Sequence, residues 1–322
     1  MMTITRRALV ASALFAPAVA RAQITRPVRL IVPFAAGGGS DTLARLLSVP
    51  LTERLGQPVV VENRAGAGSQ IGAEAVMRSA PDGTTLLLGD TPLATIPAVQ
   101  VAGGRPAPFD AARDFSPVAA LAIAPALVVV GGQSRFRTLG ELLAAARANP
   151  AAIDFASAGV ASSTHLILEL LQMRAGVRVT HVPYRGAAPA VQDVLAGTVQ
   201  ATIMALATAA PLVQSGQIRV IGVASEQRIA AMPDVPTLKE QGVDLVSGFW
   251  WGVLGPLGIP DPVLAQLVTA IEASMASEAM TARLPALGLN RLALGPAEFR
   301  ALLASETRRW GEVVQAAGIK PE

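Results

Sequence analysis

The chain has 322 residues, with 26 basic and 23 acidic side chains, two histidines and no cysteine. The absence of cysteine excludes disulfides and thiolate metal sites, and His165 and His181 do not form a metal-ligand spacing. Basic residues are scattered and rarely interleaved with aromatics, so the usual footprint of a nucleic-acid binder is missing.

Met1 to Ala22 reads as an export leader. Arg6 and Arg7 form a positive start, Ala8 to Val19 an apolar stretch too short to span a bilayer, and Ala20-Arg21-Ala22 a cleavage signal. No cysteine follows the cut, so a lipid anchor is not expected. The leader carries three of the 26 basic residues (Arg6, Arg7, Arg21) and no acid, which leaves 26 − 3 = 23 against 23 acidic residues. The expected product is a formally neutral, exported, periplasmic protein cleaved after Ala22. About 300 residues remain, a length that normally splits into two domains.

Val28 to Val32 is a run of mostly branched apolar residues, a buried strand. Pro33 suits its end. Gly37, Gly38 and Gly39 follow, then Ser40 and Asp41, both good N-cap types. Leu43, Leu46, Leu47, Leu51 and Leu55 then recur near a helical period. A strand, a loop without side chains and a helix start form an anion site from backbone alone, because first-turn N–H groups are unpaired and the dipole is positive there. This stretch is read as a carboxylate cradle. A Cβ at Gly38 or Gly39 would crowd a ligand or forbid a positive φ.

Pro58 to Glu62 is a second strand, followed by a loop from Asn63 to Ser69. Gly66, Gly68 and Gly72 approach a dinucleotide fingerprint, but Ala80-Pro81-Asp82-Gly83 breaks the helix early and no acid follows to hold a ribose. No cofactor is expected. Thr84 to Gly89 is a third strand, and Asp90-Thr91-Pro92 ends it on the cradle's side.

Leu121 to Val130 is a strand in which the first domain hands over to the second. Thr138 and Glu141 open the helix of Phe136 to Pro150 with a capping box. Ile153 to Ser157 repeats the opening architecture: a strand, a small-residue loop from Ala158, a hydroxyl N-cap, then a helix from His165 to Ala175. Strands over Val179 to Pro183, Gln200 to Leu206 and Ile218 to Ser225 follow, with a helix from Ala187 closed by Gly197. After a proline-rich connector (Met232 to Gly242), Phe249 to Leu254 is the last strand. Pro262 to Ser277 and Pro296 to Ala317 are C-terminal helices on the outside of the first domain.

Seven segments in order, RLIVPFAAGGGSD, GQPVVVENRAGAGS, APDGTTLL, FASAG, HVPYRG, MPDVPTLKEQG and the W-x-G of Trp250-Trp251-Gly252, resemble the Bug family. These are the extracytoplasmic receptors of tripartite tricarboxylate transporters. The resemblance covers essentially all of the chain beyond the leader. It implies an α/β, two-domain periplasmic binding protein of the Venus-flytrap, type II-like kind, each domain a mixed, mostly parallel sheet flanked by helices. The divisions expected are 23–121 with 228–322 for one domain and 122–227 for the other, with the ligand cleft between.

The resemblance further implies a small carboxylate ligand (a di- or tricarboxylate, acidic amino acid or aromatic acid), a membrane permease as partner, and a monomer. It places ligand contacts on Phe34, Ala36, Gly38, Gly39, Ser40 and Asp41, with Asp90 at the end of the third strand. In the second domain they fall on Ser157, Ala158, Gly159, Ser163, Thr164 and His165, with Tyr184 and Ala205 nearby. Two departures lie outside the cradle: Val49-Pro50, expected to kink the first helix, and the alanine-rich Ala111-Ala112-Arg113-Asp114. A partner of a membrane sensor shares the same fold. An enzyme would need a nucleophile–base pair, a metal cluster or a complete cofactor fingerprint, and none is read here.

Several residues keep two roles. Asp41 either organises the glycine loop or meets an amino group of an amino-acid ligand. His165 packs its loop or hydrogen-bonds a ligand. Arg185 reaches a second carboxylate or stays in solvent. Trp250 and Trp251 are core or cleft wall, or else a stacking box.

Overall fold

The computed structural model describes residues 24–320. The leader and its cleavage site lie outside the described residues. Three parallel strands open the first sheet: β1 (Val28–Val32) between β2 (Val59–Asn63) and β3 (Thr85–Asp90). All six residues of β3 are buried, as expected of a parallel strand covered on both faces.

The 17-residue β4 (Phe115–Gly131) serves both sheets. Its first part pairs antiparallel with β9 (Gly248–Pro256) and β10 (Asn290–Leu294), and β9 continues onto β3. Its second part pairs antiparallel with β7 (Ala201–Ala205) and β8 (Ile218–Val223). The second sheet then runs in parallel from β7 to β5 (Asp154–Ser157) and β6 (Thr180–Pro183). Pro125 stands at the handover. It has no N–H to give a ladder, and it is the last β4 residue paired with β9, while Ala126 already pairs with Ala205.

Helices cover both faces. α1 (Gly39–Leu55) buries Leu43, Leu47, Leu51 and Leu55 of the predicted stripe, leaves Leu46 half-buried, and runs on through Pro50. α2 (Gln70–Met77) follows the second glycine-bearing loop. α4 (Leu139–Ala148) carries the expected cap: Thr138 Oγ1 accepts from the Glu141 N–H, and Glu141 reaches back to the Arg137 N–H. α5 (Ser163–Ala175) is buried from His165 to Gln172. α6 (Ala187–Ala196) ends on Gly197, and α8 (Asp261–Met275) packs on α1. α10 (Pro296–Ala317) keeps its predicted bounds and packs against α3 (Pro92–Ala102) and β4.

Four elements correct the expectation. α3, α7 (Leu206–Gln214) and α9 (Glu278–Ala286) each hold an internal proline, Pro97, Pro211 and Pro285, that hides a short helix. β9 is not the last strand, because β10 pairs with β4.

Candidate functional site

The first glycine loop is built differently from the expectation. The N-cap of α1 is Gly38, and neither Ser40 nor Asp41 caps it; both sit buried in the first turn. Gly37 is the loop residue with positive φ, at 87°, and it makes the early start possible. Asp41 reaches back to accept from the Gly37 N–H at 2.9 Å, from Arg45 Nε at 2.9 Å and from Asn63 Nδ2 at 3.0 Å. Asn63 also donates to the Phe34 carbonyl, so it ties the second loop to the first. These donors, Arg45 foremost, hold the Asp41 carboxyl down at about 2. Asp41 therefore organises the loop.

A Cβ built on Gly39 meets nothing within 4 Å, and one on Gly38 only the Ala35 carbonyl at 3.8 Å. Ala36, Gly38 and Gly39 are exposed.

The carboxyl end of β3 is more concentrated. Asp90 is 8% exposed, and Ser40 Oγ lies 3.5 Å from its Oδ2. Trp251 lies opposite Asp90 in the β3–β9 register, and its Nε1–H donates to Ser40 Oγ at 2.9 Å. Asp90 Oδ1 is buried without a partner. Burial, opposed only by Ser40, pushes the Asp90 carboxyl well above the usual carboxylate range. Thr91 Oγ1 accepts from the Trp250 N–H.

The second cradle consumes much of its own backbone. Thr164 Oγ1 accepts from the Ala158 N–H, Ser157 Oγ from Gly159, His165 Nδ1 from Ala161 and the N-cap Ser162 Oγ from His165. A Cβ on Gly159, whose φ is 130°, would stand 3.0 Å from the Tyr184 carbonyl. The His165 ring thus packs its own loop, and it stacks on His181 with ring centroids 3.8 Å apart. His181 Nε2 shares a 2.6 Å hydrogen bond with Ser157 Oγ. That pairing of hydroxyl and imidazole escaped the sequence reading because Ser157 and His181 lie 24 residues apart on adjacent strands. Ser157 is fully buried and stands outside the cavity that joins the two halves of the molecule.

A cavity of about 590 Å³ joins the two halves of the molecule. One side is Phe34, the second loop (Ala67, Gly68), Gln70 and the Asp90–Pro92 turn. Facing them are Ala158 and Val160 to Thr164, at the amino end of α5. Ile96, Val99, Phe249 and Trp251 supply an apolar wall. Among the described lining residues none is Lys, Arg or His, and Asp90 is the one titratable side chain.

Of the predicted contacts, Phe34, Asp90, Ala158, Ser163 and Thr164 line this cavity. Ala36, Gly38, Gly39, Ser40, Asp41, Ser157, Gly159, His165, Tyr184 and Ala205 stand outside its lining; Ser40 reaches it through Asp90 and Trp251. Tyr184 gives its hydroxyl to Asp193 Oδ2 at 2.5 Å, and that hydrogen bond holds the phenol up at about 12. Arg185 is exposed. Trp250 is core, packed edge-on against Phe299, whereas Trp251 is cleft wall.

The sequence reading missed Thr95, Ile96, Val99 and Gln100, all on α3. Proline at the first position after Asp90-Thr91 was the available signal. Ala67, Ser69 and Ala161 adopt positive φ without being glycine, so backbone strain flanks the cavity on both sides.

Two sheets joined through one long strand, with a cavity at the carboxyl ends of strands and at a helix start, define a two-domain periplasmic binding protein. The family described as tripartite tricarboxylate transporter family receptor matches residues 43–319. The protein BugT of Bordetella pertussis is 35% identical over 312 residues, covering 95% of this chain and 93% of BugT. The chain superposes on the solved structure of Rpa4515 of Rhodopseudomonas palustris with adipate at a TM-score of 0.83. The two are 32% identical, with 93% of this chain and 99% of that one covered. It also superposes on MatC of the same organism with bound malate, at 0.78 and 32% identity, covering 90% and 99%. This chain belongs to the tripartite tricarboxylate transporter receptor family, whose members are solute-binding receptors and not enzymes.

Proposed function

We propose that the protein is an extracytoplasmic receptor that captures a small carboxylate in the cavity and presents it to the membrane permease of a tripartite tricarboxylate-type transporter. The ligand is a di- or tricarboxylate, an acidic amino acid or an aromatic acid. One observation carries the reading: a 590 Å³ cavity at the start of α5 and the end of β3 that takes its polarity from hydroxyls, the Gln70 and Gln100 carboxamides, helix amides and one acid. The N–H groups of Ser163 and Thr164 belong to the first turn of α5, where the helix itself has no acceptor for them. Such a terminus suits a carboxylate without any basic side chain. The adipate and malate of the two relatives support the class.

In this reading the protein is a monomer working in the periplasm. Its lobes, 23–121 with 228–322 and 122–227, close over the ligand. Phe34, Asp90, Ala158, Ser163 and Thr164 form the direct contacts.

A thermal-shift panel of mono-, di- and tricarboxylates tests it. Ligand at 100 times its dissociation constant stabilises the fold by about 2.7 kcal/mol, a readily measured rise in melting temperature. A panel in which only neutral sugars or cations raise the transition refutes the reading.

A further inference from the structure

We propose that Asp90 is a specificity-determining residue that recognises its ligand as a hydrogen-bond donor, its Oδ1–H reaching an oxygen of the ligand's carboxylate. This rests on the carboxylate reading above and adds to it a proton.

The geometry begins at the floor of the cavity. Asp90 closes β3, lines the cavity and is buried, yet its Oδ1 has no partner in the protein. A buried polar atom left unpaired costs about 1–3 kcal/mol, so a group entering the cavity to meet it gains what the empty site lacks. The surroundings decide which form of the carboxyl does the meeting. Asp41, the acid in the first turn of α1, is ringed by three donors, one of them a guanidinium, as an ionised carboxylate requires. Asp90 has a single hydroxyl at 3.5 Å.

Among the described residues no charge of opposite sign faces it from any packed element. α1 offers Ser40, since the Asp41 carboxyl is turned to Gly37, Arg45 and Asn63. β9 offers Trp251, the turn after β3 offers Thr91, and α3 offers Pro92 and Thr95. The second loop offers Ala67 and Gly68, and α2 offers Gln70. The start of α5 offers Ser162, Ser163 and Thr164, and His165 there is committed to Ala161 and Glu169. Burial accordingly pushes the carboxyl up and keeps its proton on.

Two ionised carboxylates in such a site would repel, whereas an acid and a carboxylate form a short, strong O–H···O⁻ bond. The protonated side chain thus supplies what a basic residue supplies elsewhere. The proton balance is simple. Below the carboxyl's own pKa the proton is already in place, and the ligand enters and leaves as its carboxylate. Above it, each binding event takes one proton from solvent and each release returns it.

Calorimetry with adipate, malate and benzoate on the wild type and on Asp90→Asn and Asp90→Leu, between about pH 6 and pH 9, tests this. Infrared spectra of the same samples report the carboxylic-acid band of Asp90, which Asp90→Asn removes. The expected result is an acid that binds the wild type while that band is present. Its affinity falls about tenfold per pH unit wherever the band disappears. Asp90→Asn, which keeps a donor, binds within about threefold of the wild type and without that pH dependence, and Asp90→Leu loses about tenfold or more. A wild type that binds with Asp90 ionised overturns the proposal, as does an Asp90→Asn protein that loses tenfold. In those cases the receptor reading stands. If no acid binds the wild type at any pH, both fall.

Discussion

The indole N–H of Trp251 donates to Ser40 Oγ at 2.9 Å, joining residues 211 positions apart. The bond fixes β9 to the first turn of α1 and orients the Ser40 hydroxyl beneath Asp90. Both residues are 8% exposed. Ser40→Ala leaves the indole donor buried without an acceptor, at a cost of about 1–3 kcal/mol. Urea denaturation of Ser40→Ala, Trp251→Phe and the double variant reads the coupling. The double variant is expected to lose less than the sum of the singles by at least about 0.5 kcal/mol. Strict additivity would show that the bond contributes nothing.

The glycine loop gives an asymmetric pair of variants. Gly37 sits at φ 87°, a region that costs an L-residue about 1–2 kcal/mol. Gly39 begins α1 with open space where a Cβ would stand. Gly37→Ala is therefore expected to lower the melting temperature, and Gly39→Ala to leave it unchanged or raise it. Equal effects of the two changes would contradict the loop geometry.

The difference between Gly37 and Gly39 shows where the sequence was legible. Three consecutive glycines announced a special turn, but composition alone does not tell which of them carries the positive φ. The strand β1, the helices α6 and α10, and the second small-residue loop were readable because branched runs, capping hydroxyls and terminal glycines act locally. What escaped was set by tertiary partners. β4 read as a strand only from Leu121, although it begins at Phe115 and runs through Pro117. In the fold a β-bulge follows Pro117, and Pro125 sits where the partner strand changes. Asp90 was legible by its place after a strand. Its unpaired oxygen was not, because it depends on Ser40 and Trp251.

His181 makes the fold sensitive to acid. Burial, then the neighbouring His165, lowers its pKa from 6.5 to about 4, with Glu169 opposing. Between those values the unfolded chain binds the proton and the folded chain does not, so stability rises with pH. The contribution is complete above pH 6.5, declines below it and is lost as pH falls through about 4. Urea midpoints measured across this window are expected to fall less steeply with acid in His181→Asn than in the wild type. Parallel curves for the two proteins would rule out His181 as the source.

The start of α5 separates a hydroxyl-built site from an arginine-built one. Thr164 Oγ1 accepts from the Ala158 N–H at 2.9 Å and shares a 3.0 Å hydrogen bond with Ser162 Oγ, and all three residues line the cavity. Thr164→Val keeps the shape, removes the acceptor and leaves the Ala158 amide to find another partner, so it strikes the loop and the ligand donors together. Arg185 is exposed and outside the cavity lining, and surface charges of this kind contribute about 0–1 kcal/mol. Calorimetry with the best acid of the thermal-shift panel is expected to show Thr164→Val weaker by about tenfold or more, about 1.4 kcal/mol. Arg185→Ala should change affinity by less than that. The reverse order, with Arg185→Ala losing about a thousandfold in a folded protein, would mean that the guanidinium clamps the ligand and that the cavity's neutral donors are secondary.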